Sequence, residues 1–154
     1  MGDALRKRIR QTKFESPLHE SLLNLLVAGG HVRERFEKMA AEFGITHPQY
    51  NVLRILRGGQ PNGYSRSEIA DRMLERAPDV TRLIDRLEQQ ELVVRDRSDE
   101  DRRLSITRIT EKGLNLLDRI QPELHKAHSY FAGKISEADQ ILLSRICEDL
   151  YGDR

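Results

Sequence analysis

The chain has 154 residues, 38% apolar and 33% charged, a length that supports one hydrophobic core with or without a helical extension. No apolar run approaches the ~18 residues of a membrane-spanning helix, and 10 glycines with 5 prolines exclude a collagen-like repeat. The 26 basic and 25 acidic residues leave a net charge of +1, which alone argues neither for nor against nucleic acid, yet 20 of the basic residues are arginine.

Ser16 followed by Pro17 reads as an N-cap with proline at the first helical position. Apolar residues then recur at Leu18, Leu22, Leu25/Leu26, Gly29, Val32, Phe36, Met39/Ala40 and Phe43, the three-and-four spacing of one long helix that Gly44 stops. About 27 residues at 1.5 Å each span ~40 Å, more than one small lobe can cover, so part of this stripe is expected to meet a second chain. Thr46-His47-Pro48-Gln49 is a capping box, opening a helix with Tyr50, Val52, Leu53 and Leu56 inward and an end at Gly58-Gly59. Ser65-Arg66-Ser67-Glu68 is a second capping box, before a short helix with Ile69, Ala70 and Met73 inward that breaks at Arg76-Ala77-Pro78. Pro78 is expected to start the next helix, whose buried face is Val80, Leu83, Ile84 and Leu87. Two helices joined by a tight turn, the second with a polar outer face, form a helix-turn-helix.

After Glu91 the apolar period drops from about 3.6 to 2. Leu92 to Arg95 and Leu104 to Ile109 read as strands around the charged tip Asp96 to Arg103, and a hairpin directly after a helix-turn-helix is a wing. Thr110 caps a helix with Leu114, Leu117, Ile120, Leu124 and Phe131 inward and a bend expected at Pro122. Ser136 opens the last helix, striped by Ile141, Leu142, Ile146 and Leu150. The expected fold is mainly α with a small β-wing (α+β). A winged helix-turn-helix lobe at 45–110 stands between an N-terminal arm and dimerisation helix at 1–44 and C-terminal dimerisation helices at 111–154.

The segments GITHPQYNVLRIL, APDVTRLIDRLEQQELVVR and DEDRRLSITRITEKG, in this order and followed by a terminal helix pair, resemble the MarR family of bacterial and archaeal winged-helix regulators from about Leu18 to Leu150. The resemblance implies a homodimer in which the N- and C-terminal helices of two chains interlock and two lobes read a palindromic operator in double-stranded DNA. It further implies a repressor released by a small aromatic or phenolic effector. The residues argue for the dimer independently, because the terminal helices carry more apolar stripe than one winged lobe can bury.

On the second helix of the motif, burial of Val80, Leu83, Ile84 and Leu87 turns Thr81, Arg82 and Arg86 outward or to the flanks. Arg82 lies in the first turn and a half, where a guanidinium fork reaches guanine O6 and N7; its competing role is a surface pair with Asp79 or Asp85. Thr81 suits a phosphate or a thymine methyl, Ala77 and Pro78 are small enough to let the helix end approach the groove, and Arg86 is a phosphate contact or a structural pair. Ser65 and Ser67 offer hydroxyls to phosphate. By its match to the family, Arg103 is the wing arginine that enters the minor groove, with Arg102 beside it and Arg97 paired to Asp99 or Asp101 to hold the hairpin. A solvated charged turn is the plainer alternative. The basic arm Arg6, Lys7, Arg8, Arg10 and Lys13 adds backbone affinity or frays.

By analogy with the family, an effector site would draw on His19, Leu22, Leu23 and Leu26 with Tyr50 and Leu53 and facing positions near Leu114 and Leu117. His125 and His128 are an i, i+3 pair, but no compact metal-ligand set is apparent; a metal-responsive regulator stays an alternative, and no cofactor is expected. Cys147 is the only cysteine, so no intrachain disulfide forms, and its place on an apolar stripe suits an inert thiol. No phosphate loop, nucleophile with a positioned histidine, or paired carboxylates point to an enzyme. A further alternative is a helical dimer acting through protein contacts, whose lobe has lost DNA affinity; the net charge of −1 from Met39 to Glu111 is its support. The charged opening MGDALRKRIRQTKF lacks a following apolar core, so a cytoplasmic protein is expected, with no membrane partner.

Overall fold

The computed structural model describes residues 2–75, 79–96 and 105–152. The chain divides into two compact units, Met1–Lys38 and Met39–Arg154. The first contains α1 (Asp3–Ile9) and most of α2 (Pro17–Ala41). The basic arm is therefore helical from Asp3 to Ile9, with Leu5 buried and the Arg6 guanidinium 5.6 Å from the centroid of the Phe14 ring. Phe14 in turn stands edge-on to His19, ring centroids 6.2 Å apart. Ser16 caps α2 as its spacing predicts, its Oγ accepting from the His19 N–H at 3.1 Å. Leu18, Leu22, Leu25, Leu26 and Val32 along this helix are all exposed.

The second unit begins within the last turn of α2, at Met39. Gly44, at φ +74°, takes the left-handed position that a side chain would strain, and its N–H bonds to the Ala41 carbonyl at 3.0 Å. The order is then α3 (His47–Gly58), β1 (Tyr64–Ser65), α4 (Arg66–Arg72), α5 (Val80–Gln89), β2 (Val93–Asp96), β3 (Ile106–Ile109), α6 (Glu111–Ala132) and α7 (Glu137–Tyr151). Val52, Leu53 and Leu56 from α3 meet Ile69, Ile84 and Leu87 from the helix-turn-helix and Leu117 and Ile120 from α6 as the buried centre of the unit. Gly113 lets α6 close on the base of the wing, since a Cβ there would lie 2.4 Å from the Leu92 carbonyl oxygen. The strands form an antiparallel sheet in the order β1-β3-β2, with Val93 opposite Ile109 and Tyr64 opposite Thr107. This is the mainly helical winged fold that the periodicity implies.

Several details differ from the sequence reading. Helix α4 ends at Arg72 rather than at Arg76, Ala70 on it is exposed, and Met73 is its half-buried C-cap. Helix α5 starts at Val80 and not at Pro78, because the Asp79 carboxylate takes the N-cap and accepts the Arg82 N–H at 3.0 Å. Strand β3 turns Thr107 and Ile109 inward, leaving Ile106 half-buried. On α6, Leu116 is buried where Leu114 was expected, and Leu114 and Phe131 are half-buried. The helix runs through Pro122. No residue of α7 is buried, and Ile141, Leu142, Leu143, Ile146 and Leu150 are all exposed.

Candidate nucleic-acid interface

Helix α5 is presented by its packing. Val80, Ile84 and Leu87 anchor one face in the core, so the opposite face carries Thr81, Arg82 and Arg86 into solvent. The turn before it is tied to α3 by the Asn51 Oδ1, which accepts the Leu74 N–H at 2.9 Å. Nothing in the local sequence signals that bond across 23 positions. Asp79 engages Arg82 twice: Oδ1 accepts its N–H, and Oδ2 lies 3.2 Å from its Nε. The surface pair weighed for Arg82 is therefore formed, while 78% of the Arg82 side chain remains accessible. Arg86 has no partner among the described residues and is exposed; the nearby Glu88 is engaged by Arg95.

That engagement accounts for acids that look misplaced on a nucleic-acid surface. Arg95 on β2 donates from Nε to Glu88 Oε2 at 3.0 Å, and its Nη2 bonds to Asp85 and lies 2.8 Å from the same Glu88 oxygen. The wing's first strand is so clamped to the flank of α5 by an ion triad with only 21% of the Arg95 side chain accessible. Partial burial opposes the Arg95 cation, but the Asp85 hydrogen bond and the charges of Glu88 and Asp85 outweigh it and hold its pKa above the ordinary guanidinium value. On the wing's second strand Arg108 pairs with Asp96 and donates from Nε to the Asn62 carbonyl at 3.2 Å. Lys112 holds Glu91 at 2.8 Å. The arginine-rich, acid-rich lobe is thus internally cross-linked by much of its own charge.

Ser65 caps α4 and is committed to it. Its Oγ accepts the Glu68 N–H at 3.3 Å and donates to Glu68 Oε2 at 2.8 Å, while its own N–H donates to the same carboxylate at 2.9 Å. The Ser65 N–H, then its hydroxyl, hold the Glu68 carboxyl below the ordinary glutamate pKa. Ser67 Oγ lies 3.2 Å from Ser65 Oγ and is exposed at the same corner. Ala77, Pro78, Arg97, Arg102 and Arg103 lie outside the described residues. A cleft of about 320 Å³ beside α5 is lined by Pro48, Asn51, Leu74, Asp79, Arg82 and Arg86 among others.

Of the residues expected to hold an effector, His19 is half-buried with a buried, unpartnered Nδ1, and Leu22 and Leu26 are exposed on α2. Tyr50 and Leu53 are closed inside the lobe instead, Leu53 with no accessible surface, because α3 turns both toward the core. Tyr50 keeps its hydroxyl paired, accepting from Arg54 at 3.1 Å. Among the described residues no three His, Cys, Asp or Glu side chains are grouped to hold a metal ion, and no helix is long and apolar enough to cross a membrane.

Residues 45–105 match the family model described as the MarR family. The chain is 34% identical over 94 residues to the HTH-type transcriptional regulator MhqR of Bacillus subtilis, an alignment spanning 60% of this chain and 62% of that protein. It is 31% identical over 125 residues to the HTH-type transcriptional regulator PapX of Escherichia coli, covering 77% of this chain and 75% of that one. Among solved structures, a MarR transcription factor from Planctomyces limnophilus shares 34% identity with a TM-score of 0.70, covering 88% of this chain and 98% of that chain. CouR from Rhodococcus jostii RHA1, solved with p-coumaroyl-CoA, superposes with a TM-score of 0.73 at 23% identity, covering 92% and 99%. MepR of S. aureus, solved as a DNA complex, gives 0.72 at 20%, covering 84% and 94%. The last two likenesses concern the fold.

Proposed function

Because the chain belongs to the MarR family of transcriptional regulators, we propose that it is a homodimeric repressor that binds palindromic operators in double-stranded DNA in the cytoplasm and is released by a small aromatic or phenolic ligand. The observation that carries the DNA reading is the outer face of α5: Thr81, Arg82 and Arg86 stand exposed on a helix whose other face is locked in the core. Recognition helices present base-reading side chains in this way. By the family match, Arg103 is assigned as the wing's minor-groove contact, with Arg102 and Arg97 as further DNA contacts of the wing; Ser67 and the corner around Ser65 are assigned to phosphate, and the small residues Ala77 and Pro78 to the approach of the helix end. The acidity that would favour a lobe without DNA affinity carries less weight, since Asp85, Glu88 and Asp96 are engaged in ion pairs with Arg95 and Arg108.

The dimer reading is supported by Leu18, Leu22 and Leu26 on α2 and by Ile141, Ile146 and Leu150 on α7, all apolar and wet in the single chain. At ~25 cal/mol per Å², covering two such stripes is a strong drive to associate. A protein of this fold carries p-coumaroyl-CoA and another carries DNA, which supports both partners for this chain. The effector side is assigned to His19, Leu22 and Leu26 on α2, and Tyr50 and Leu53, closed in the core of the lobe, are left out of it. Anisotropy titration of a duplex selected from genomic fragments tests the proposal. Two chains per duplex and release by an aromatic acid are expected; absence of retention at low salt would refute it.

A further inference from the structure

We infer that Asp79 is a positioning residue for sequence readout, aiming the Arg82 guanidinium at a guanine. This rests on the DNA-binding reading above. Among the described residues the Asp79 carboxylate is tied to Arg82 through both oxygens, Oδ1 at 3.0 Å from the Arg82 N–H and Oδ2 at 3.2 Å from Arg82 Nε. The first contact fixes the carboxylate relative to the start of α5. The second grips the guanidinium on the side nearest its stem. The far edge, Nη1 and Nη2, meets no other carboxylate among the described residues, and the side chain is 78% accessible. Those two groups are the fork that matches guanine O6 and N7.

A free arginine on a helix must lose rotamer freedom before it can make a two-point contact, and a preset one has already lost it. An acid at this position also repels phosphate. Asp79 therefore works twice for specificity: it strengthens binding where a guanine accepts the fork and weakens binding everywhere else. A carboxylate that capped the helix without gripping the guanidinium would do only the second. The charge of Asp79 at the helix N-terminus is offset by the exposed N–H groups there, so the carboxylate is stable while it faces the groove.

Asp79→Asn separates the roles, because asparagine caps a helix as well as aspartate does but has one acceptor oxygen and no charge. The measurement is a binding-site selection on the full chain, followed by titration of the selected duplex and a scrambled one. Wild type should show a guanine in each half-site, with a discrimination of about five- to a hundredfold at that base pair. Asp79→Asn should cut that discrimination about tenfold or to nothing, tighten binding to scrambled DNA, and leave the melting temperature nearly unchanged. With Arg82→Lys, which keeps the charge and removes the fork, Asp79→Asn should make no further difference to the base preference. An unchanged guanine preference in Asp79→Asn, with specific and scrambled affinities rising together, would overturn the positioning role while leaving the repressor reading intact. If wild type retains no duplex in dilute buffer, both fall.

Discussion

The ion triad between wing and recognition helix should be measurable as stability. In Arg95→Met the aliphatic stem keeps its packing while Asp85 and Glu88 lose their shared cation. Exposed pairs contribute about 0–1 kcal/mol and breaking a fully buried pair costs about 3–5 kcal/mol. Arg95 has 21% of its side chain accessible, against 45% for Asp85 and 36% for Glu88, which puts the triad between those limits. A loss of about 2 kcal/mol follows, or a fall in melting temperature of ~4–8 °C for a chain of this size. Urea unfolding followed by circular dichroism at one fixed protein concentration reads it, since association shifts apparent stability. Glu88→Gln in the Arg95→Met background should then cost less than in wild type, with a coupling energy of about 1 kcal/mol. A loss under about 0.5 kcal/mol with additive double mutants would show that the triad is ornamental and that the wing is held by sheet and core alone.

Arg103→Ala should weaken operator binding by roughly 1–3 kcal/mol with little change in melting temperature, as read by anisotropy; equal affinity would remove the wing assignment. Leu26→Asp on α2 should convert the species near twice 17.8 kDa in light scattering to a monomer, and an unchanged dimer would place the interface elsewhere. Stability should fall on acidification partly through Glu68. Its folded pKa is lowered by Ser65, so its contribution is whole above the ordinary glutamate value of about 4.3 and is lost as pH falls through the lower folded value. Glu68→Gln should flatten the melting-temperature profile in that range, and an identical profile would contradict the assignment.

The features legible in the sequence are those fixed by neighbours a few residues apart. Both capping boxes, at Thr46 and Ser65, are present as read, because each needs only a hydroxyl and an acceptor three positions on. The switch from helix to strand after Glu91 is visible for the same reason. A start read from proline alone is misplaced: Pro78 is taken to open the helix, but the Asp79 carboxylate reaching the Arg82 N–H sets the start at Val80. Strand β1 is invisible because two residues, Tyr64 and Ser65, become a strand only through pairing with Thr107 and Ile106. The partners of Arg95 are hidden for a related reason. Asp85 and Glu88 come within reach only after the chain reverses at Glu91, whose left-handed φ of 61° no periodicity reveals. The site is therefore legible as a list of outward arginines, while its division into structural and reading arginines emerges from the fold.

The most direct test is the salt dependence of binding to a selected palindromic duplex. Two chains should bind each duplex, and affinity should fall by about 10³-fold or more between 50 and 200 mM salt, as several phosphates release their counterions. A single chain per duplex, or an affinity indifferent to salt, would contradict a paired winged repressor.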